Sequence, residues 1–275
     1  MGIQSIPQEL ILMVGENLSI EDLNNFLCTC RGLSKLLTPR LHELGLQNVG
    51  SLSALQWAAK HGYEPLVKLA ISKGAKVNEI TKCESKFTAL HLAASNSSTN
   101  PQIIHTLVKH GAEVDAKSSD HCTPLHILMG LKNWTSVEKG KLLGSLLQCG
   151  ADVHAKDKLG DTPAHIAANK EDIKSLNQLI HAGFDVSMKG AGGDTVLHRA
   201  ARGSGRGMKF LLDLEAGRSI INVQNKKGAT PLHIAAGKCD RVKVEMLLKC
   251  GANDDLEDSR GRTAAELALL RGGIM

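Results

Sequence analysis

Aromatic residues are scarce in this 275-residue chain: two Trp, one Tyr and four Phe, 3% in all. So few rings do not suit the usual core of a globular enzyme of this size. A core of Ala, Leu, Ile and Val instead suits thin layers of closely packed helices. Paired cysteine motifs are missing as well. The seven cysteines (Cys28, Cys30, Cys83, Cys122, Cys149, Cys239 and Cys250) are odd in number and form no CxxC pair. This argues against a disulfide framework and against a structural zinc site, and no metal or other cofactor is expected. Reduced thiols point to the cytosol or nucleus. No run approaches the ~18 apolar residues of a membrane span, and the start lacks the basic-then-apolar order of a signal peptide. The formal charge of +5 is mild. It is compatible with an acidic partner but does not call for nucleic-acid binding.

What the sequence does contain is repetition, the feature to seek first because it decides the fold. Thr88-Ala89-Leu90-His91-Leu92-Ala93-Ala94 returns as Thr123-Pro124-Leu125-His126-Ile127 and as Thr162-Pro163-Ala164-His165-Ile166-Ala167-Ala168. It returns again as Thr195-Val196-Leu197-His198-Arg199-Ala200-Ala201 and Thr230-Pro231-Leu232-His233-Ile234-Ala235-Ala236. Weaker copies begin at Ser53 and Thr263, so the steps are 35, 35, 39, 33, 35 and 33 residues. Each copy reads as a helix start. Thr caps an orphan amide, Pro takes the first helical position at no cost, and Leu with Ala-Ala forms a narrow apolar face. A second helical pattern follows, as in residues 101–110, and stops at Gly74, Gly111, Gly150, Gly183 or Gly251. A glycine there supplies the left-handed conformation that ends a helix.

A period near 33 residues carrying T-P-L-H-x-A resembles the ankyrin repeat. The resemblance covers residues 53 to about 275 and implies an all-α ankyrin-repeat solenoid of about seven helix–turn–helix units with short β-turn fingers, the array occupying 47–275. It also implies that His91, His126, His165, His198 and His233 are structural, each bridging a Thr hydroxyl and the backbone of an adjacent unit. Metal binding or catalysis by this histidine row is not expected. Partners of such arrays contact turn tips and first helices. The corresponding candidates here are Trp57, Phe87, His121, Trp134, Lys158, Asp161, Asp194, Arg202, Lys227 and Lys238.

Three departures stand out. The third unit is lengthened between Met129 and Leu142 around Trp134, either as a partner anchor or as cover for a longer helix pair. The fifth carries Arg202-Gly203-Ser204-Gly205-Arg206-Gly207, which reads as a flexible basic turn, and lacks the Gly-Ala ending. The last has polar residues and Glu266 in place of His, as suits a terminal cap.

Residues 1–46 do not follow the repeat. Ile6-Pro7-Gln8-Glu9-Leu10-Ile11 opens a helical stripe through Val14 and Leu18, and Asp22-Leu23 opens another running to Cys30, Arg31 and Leu33. This segment resembles an F-box, in the version that precedes ankyrin arrays in filamentous fungi. The resemblance implies a small helical F-box-like segment that docks a Skp1-like adaptor of a cullin ubiquitin ligase through Ile6, Pro7, Leu10, Ile11, Leu18, Asp22, Leu23, Cys30 and Leu33. The residues alone also allow a plain N-terminal cap. Three functions are thus expected in order: a ligase substrate receptor, a scaffold whose helical start is a cap, and a small-molecule or biosynthetic protein using Trp57, Trp134, His121, Lys238 and Cys239. No triad, paired acids or metal spacing supports the last, so no enzyme is expected.

Overall fold

The structure is a computed structural model that describes residues 52–270 except 73, 97–99 and 132–135. The nine adaptor-docking candidates between Ile6 and Leu33, and Trp134, therefore lie outside the described residues. Apart from a single bridge residue at Leu52, the described residues are helices and turns, as the repeat implies. They fall into two compact units, divided between Ser119 and Asp120.

In the first unit, helices α1 (Ala54–His61) and α2 (Glu64–Ser72) form one repeat, and α3 (Ala89–Ala94) and α4 (Gln102–Lys109) the next. In the second unit the pairs are α5 (Pro124–Gly130) with α6 (Ser136–Gln148) and α7 (Pro163–Asn169) with α8 (Ile173–His181). They continue as α9 (Val196–Arg202) with α10 (Arg206–Asp213), and α12 (Pro231–Gly237) with α13 (Arg241–Lys249). An extra short helix, α11 (Glu215–Ser219), follows α10, and α14 (Ala264–Leu270) starts the last repeat.

First helices are only six to eight residues long, far below what is stable alone in water. Two things hold them. Their Ala pairs are buried (Ala58–Ala59, Ala93–Ala94, Ala167–Ala168, Ala200–Ala201 and Ala235–Ala236 are all within 1% of complete burial), so neighbouring helices approach closely. Their starts are closed by a reciprocal capping box at Ser53, Thr88, Thr123, Thr162, Thr195 and Thr230. The third helical residue completes each box: Gln56 once, then five histidines. Glu266 does the same for Thr263, accepting its N–H at 2.9 Å. The unusual Gln and Glu at the two weak copies thus keep the device with a different side chain.

The helix stops are as expected. Gly74, Gly111, Gly150, Gly183 and Gly251 all sit at φ between +86° and +94°. No heavy atom crowds an added Cβ at any of them, so the requirement is conformational rather than steric. The lengthened third repeat is a longer second helix, 13 residues in α6 against eight or nine in α2, α4, α8, α10 and α13. The fifth repeat departs from expectation. Its Arg202–Gly207 turn is not loose: Ser204 donates to Glu171, and Gly203 accepts from the buried Lys243 ammonium. Its missing Gly-Ala stop is replaced by α11, where a Cβ on Gly217 would overlap the Leu211 carbonyl. Arg218 Nε ties this helix back to the Leu212 carbonyl at 2.7 Å.

Candidate functional site

The histidines fix the face made by the turns and the first helices. Thr Oγ1 lies 2.8–2.9 Å from His Nδ1 at His91, His126, His165, His198 and His233. The Thr backbone N–H also points at Nδ1, so Nδ1 is the acceptor. In the second unit the opposite nitrogen then donates to the carbonyl just before the next Thr. His126 reaches Asp161 at 3.1 Å, His165 reaches Asp194 at 3.0 Å, His198 reaches Ala229 at 2.9 Å, and His233 reaches Arg262 at 3.0 Å. Both ring nitrogens are used, and the neutral Nε2–H tautomer is the one that fits. Burial holds His126, His165 and His198 below their ordinary value of 6.5, against the pull of nearby carbonyls and carboxylates. This is a cross-repeat strut with no coordination left for a metal. Among the described residues there is no cluster of three His, Cys, Asp or Glu suited to one.

A second ladder aligns the turns. Lys156 Nζ donates to the Lys189 carbonyl at 3.0 Å, Lys189 Nζ to the Gln224 carbonyl at 2.9 Å, and Gln224 Nε2 to the Glu257 carbonyl at 2.8 Å. Adjacent tips are also joined by backbone. Ser119 N–H donates to Ser85, Lys158 to Asp120, Lys226 to Gly192 and Ser259 to Lys227, at 2.8–3.1 Å. The turn at Ala191 is the exception. Its N–H donates to a side chain, Asp161 Oδ1, at 2.8 Å. Gly190 makes this approach possible, because a Cβ there would overlap the Asp161 carboxylate and the His165 ring.

Asp161 is the first member of an ionic cluster on this face. Its two oxygens lie 2.8 and 2.9 Å from Arg199 Nη2. Arg199 Nε sits 3.5 Å from Asp194 Oδ2, buried and without a hydrogen-bond partner among the described residues. Asp194 Oδ2 also accepts from Arg202 Nη1, and its Oδ1 accepts from Asn225 Nδ2 at 2.8 Å. Burial pushes the Asp194 carboxyl up, but the hydrogen bonds from Arg202 and Asn225 and the Arg202 charge outweigh it and hold the group below the usual range. The acids lie deep, with side chains 12% and 4% exposed for Asp161 and Asp194. The guanidiniums lie nearer the surface, at 16% for Arg199 and 37% for Arg202. A buried carboxylate that would otherwise be costly is thereby paired and hydrogen-bonded.

The sequence-derived candidates divide accordingly. Lys158, Lys227 and Lys238 are exposed, Arg202 is half-exposed, and all four lie in the second unit on the turns or at the ends of first helices. His121 is exposed in the same unit at φ +56°, occupying the turn position that Gly160, Gly193, Gly228 and Gly261 hold in later repeats. Phe87, in the first unit, is half-buried and stacks on His91 at 5.3 Å. Two expectations are corrected. Asp161 and Asp194 are not free tip contacts: their oxygens are consumed beneath the surface in placing the arginines. Trp57 is 8% exposed and stacks on His61 at 4.2 Å and Tyr63 at 5.8 Å, so packing claims its ring. Arg199, the central member, was not among the candidates. Its signal was legible: it stands where the other strong copies place Leu92, Ile127, Ile166 and Ile234.

Comparison with known proteins agrees with this geometry. The family model described as "Ankyrin repeats (3 copies)" matches residues 25–118 and 134–220, and "Ankyrin repeat" matches 227–259. The first match begins inside the segment that resembles an F-box. A relative is the Drosophila melanogaster "Transient receptor potential cation channel subfamily A member 1", 32% identical over 212 residues, covering 76% of this chain but 17% of that protein. Another is the Saccharomyces cerevisiae "Probable 26S proteasome regulatory subunit p28", 26% identical over 219 residues and covering 78% of each. The solved ankyrin repeat domain of Bcl-3 superposes with a TM-score of 0.65 at 25% identity, over 78% of this chain and 92% of that one. No described helix is long and apolar enough to cross a membrane. With the Thr–His struts, the glycine stops and these matches in agreement, the chain belongs to the ankyrin-repeat family.

Proposed function

We propose that the chain is a protein-holding module whose turn-and-first-helix face in the second unit grips a target, and whose first 46 residues hand that target to a Skp1-like ligase adaptor. The observation that supports the holding half is the Asp161–Arg199–Asp194–Arg202 cluster. Two buried acids fix two guanidiniums in advance, so a partner meets an ordered surface and loses little entropy in binding it. The adaptor half is supported by the run from Ile6 to Leu33. Its test is co-purification of the full chain with a Skp1-type adaptor, expected to be retained by wild type and lost in P7A/L10E. No adaptor bound by wild type would remove this half.

A second reading is favoured by the family match beginning at residue 25: the N-terminal segment is part of the repeat array and closes its end, leaving a scaffold without ligase docking. Deleting residues 1–46 separates the two. A soluble, cooperatively melting remainder fits a docking module, and an aggregating remainder fits a cap. The likeness to a proteasome regulatory subunit along most of both chains suits either reading, since each makes the chain a regulatory binding partner.

A further inference from the structure

The cations of the second unit are arranged in two rows along the proposed holding face. One row is on the turn tips, two positions per turn: Lys158-Leu159, Ala191-Gly192, Lys226-Lys227 and Ser259-Arg260. Lys158, Lys226, Lys227 and Arg260 are exposed, and none lies within salt-bridge distance of a carboxylate among the described residues. The other row is at the first-helix ends. Arg202 uses only Nη1, and exposed Lys238 donates to the Arg202 carbonyl and lies in the field of Asp240, a carboxylate that already pairs with Lys243. The acids on the same face are mostly engaged. Asp161 and Asp194 hold the arginines, Asp157 caps its own turn, Glu171 accepts from Ser204, Asp258 pairs with Arg262, and Glu266 closes its helix. Asp120 and Glu257 remain exposed.

Within the tip row one turn is smaller than the others. Ala191-Gly192 is flanked by Lys158 on one side and Lys226-Lys227 on the other, and its backbone is tied to Asp161 rather than to the preceding tip. Arg199 and Arg202 belong to the same repeat as this small turn. A face that carries exposed cations without ion-pair partners on its turn tips, and the half-exposed Arg202 guanidinium at a first-helix end, attracts a chain of carboxylates. It disfavours a basic or purely apolar segment by leaving its own charges desolvated and unmatched.

We infer that this face takes an extended acidic segment of a partner protein, its carboxylates spread over Lys158, Arg202, Lys226, Lys227 and Lys238. The inference rests on the reading of this face as the holding one and names its partner class. The test is fluorescence anisotropy of a labelled Glu-rich peptide with the full chain, against a scrambled neutral peptide, a Lys-rich peptide and a single-stranded RNA of equal net charge. Lys226 and Lys227 are exposed, so K226E/K227E is expected to fold as wild type by circular dichroism and to bind the acidic peptide about tenfold more weakly. R202Q is expected to weaken binding less, and K209E, on α10, to leave it unchanged. Wild-type binding is expected to fall as salt rises. Equal loss in K209E, or tighter binding of the RNA than of the peptide, would overturn the inference. If the neutral or basic peptide binds instead and K226E/K227E abolishes it, the acidic class is wrong and the holding face stands. If no peptide binds, both fail.

Discussion

The repeats beginning at Thr195 and Thr230 share a scaffold and differ where the scaffold makes no demand. Both open with a Thr capping box, and both pass a histidine to the next repeat's carbonyl, at 2.9 Å from His198 and 3.0 Å from His233. Both bury an Ala pair. The residue before Thr is Asp194 in one and Ala229 in the other, the residue after His is Arg199 against Ile234, and the helix ends with Arg202 against Gly237. The later repeat is close to the plainest form of the motif. The earlier one has exchanged an apolar contact and a small residue for two guanidiniums, and needs two buried carboxylates to hold them. Scaffold positions and the positions that differ are therefore separable along the same nine residues, 194–202 against 229–237, and the guanidiniums are held by the buried carboxylates Asp161 and Asp194.

The comparison can be broken most forcefully at Asp194. Asp194→Ala gives the earlier repeat its neighbour's residue but takes the acceptor from Arg202 and Asn225 and leaves the buried Arg199 to Asp161 alone. A loss of about 3 kcal/mol in urea unfolding is expected. Removing the cluster together, as D161A/D194A/R199I/R202G, is expected to cost less than D194A alone, because no buried charge is left unmatched. A larger loss in the quadruple variant would show that the cluster holds the repeat together rather than being held by it.

The shared scaffold predicts equality instead. His198→Ala and His233→Ala each remove the same pair of hydrogen bonds from a buried site and are each expected to cost about 2 kcal/mol. A difference well beyond ~1 kcal/mol between them would mean that the strut depends on the neighbouring charges. Acid offers a graded version of the same test. His126, His165 and His198 resist protonation when folded, while the unfolded chain takes protons near 6.5. The unfolded state thus binds more protons below that value, and stability present above it is lost as pH falls. A second decline is expected below the usual carboxylate range as Asp194 and Asp258 protonate. Asp258 is held to about 2, chiefly by its hydrogen bond with Arg262. The urea midpoint measured from pH 7.5 down to about 2 checks both steps. The smallest effect is expected on the surface: K226E/K227E is expected to move stability by no more than ~0.5 kcal/mol while changing binding.

Much of the scaffold was legible in the sequence because each of its parts is a one-residue requirement repeated at a fixed step. Thr at a helix start, Pro after it, His two further on and Gly at φ near +90° each answer a local demand. The capping role of Gln56 and Glu266 followed the same logic but was hidden by a change of residue type. The ionic cluster was harder to read because its members come from two successive repeats, with Asp161 and Arg199 38 positions apart. Only the apolar-to-Arg exchange at 199 marks it in the sequence, and that signal emerges when copies are compared position by position. Trp57 was a candidate because it stands on a first helix, yet there it is 8% exposed and stacks on His61 and Tyr63.

On the reading proposed above, the second unit's turn-and-first-helix face is a binding surface prepared for carboxylates. Backbone amide NMR of the full chain, titrated with the Glu-rich peptide, tests this most directly. Saturable shifts concentrated at residues 158–161, 190–202, 226–229 and 238 are expected, with α10 and α13 unmoved. Shifts centred on those second helices, or spread evenly over exposed lysines in both units, would contradict it.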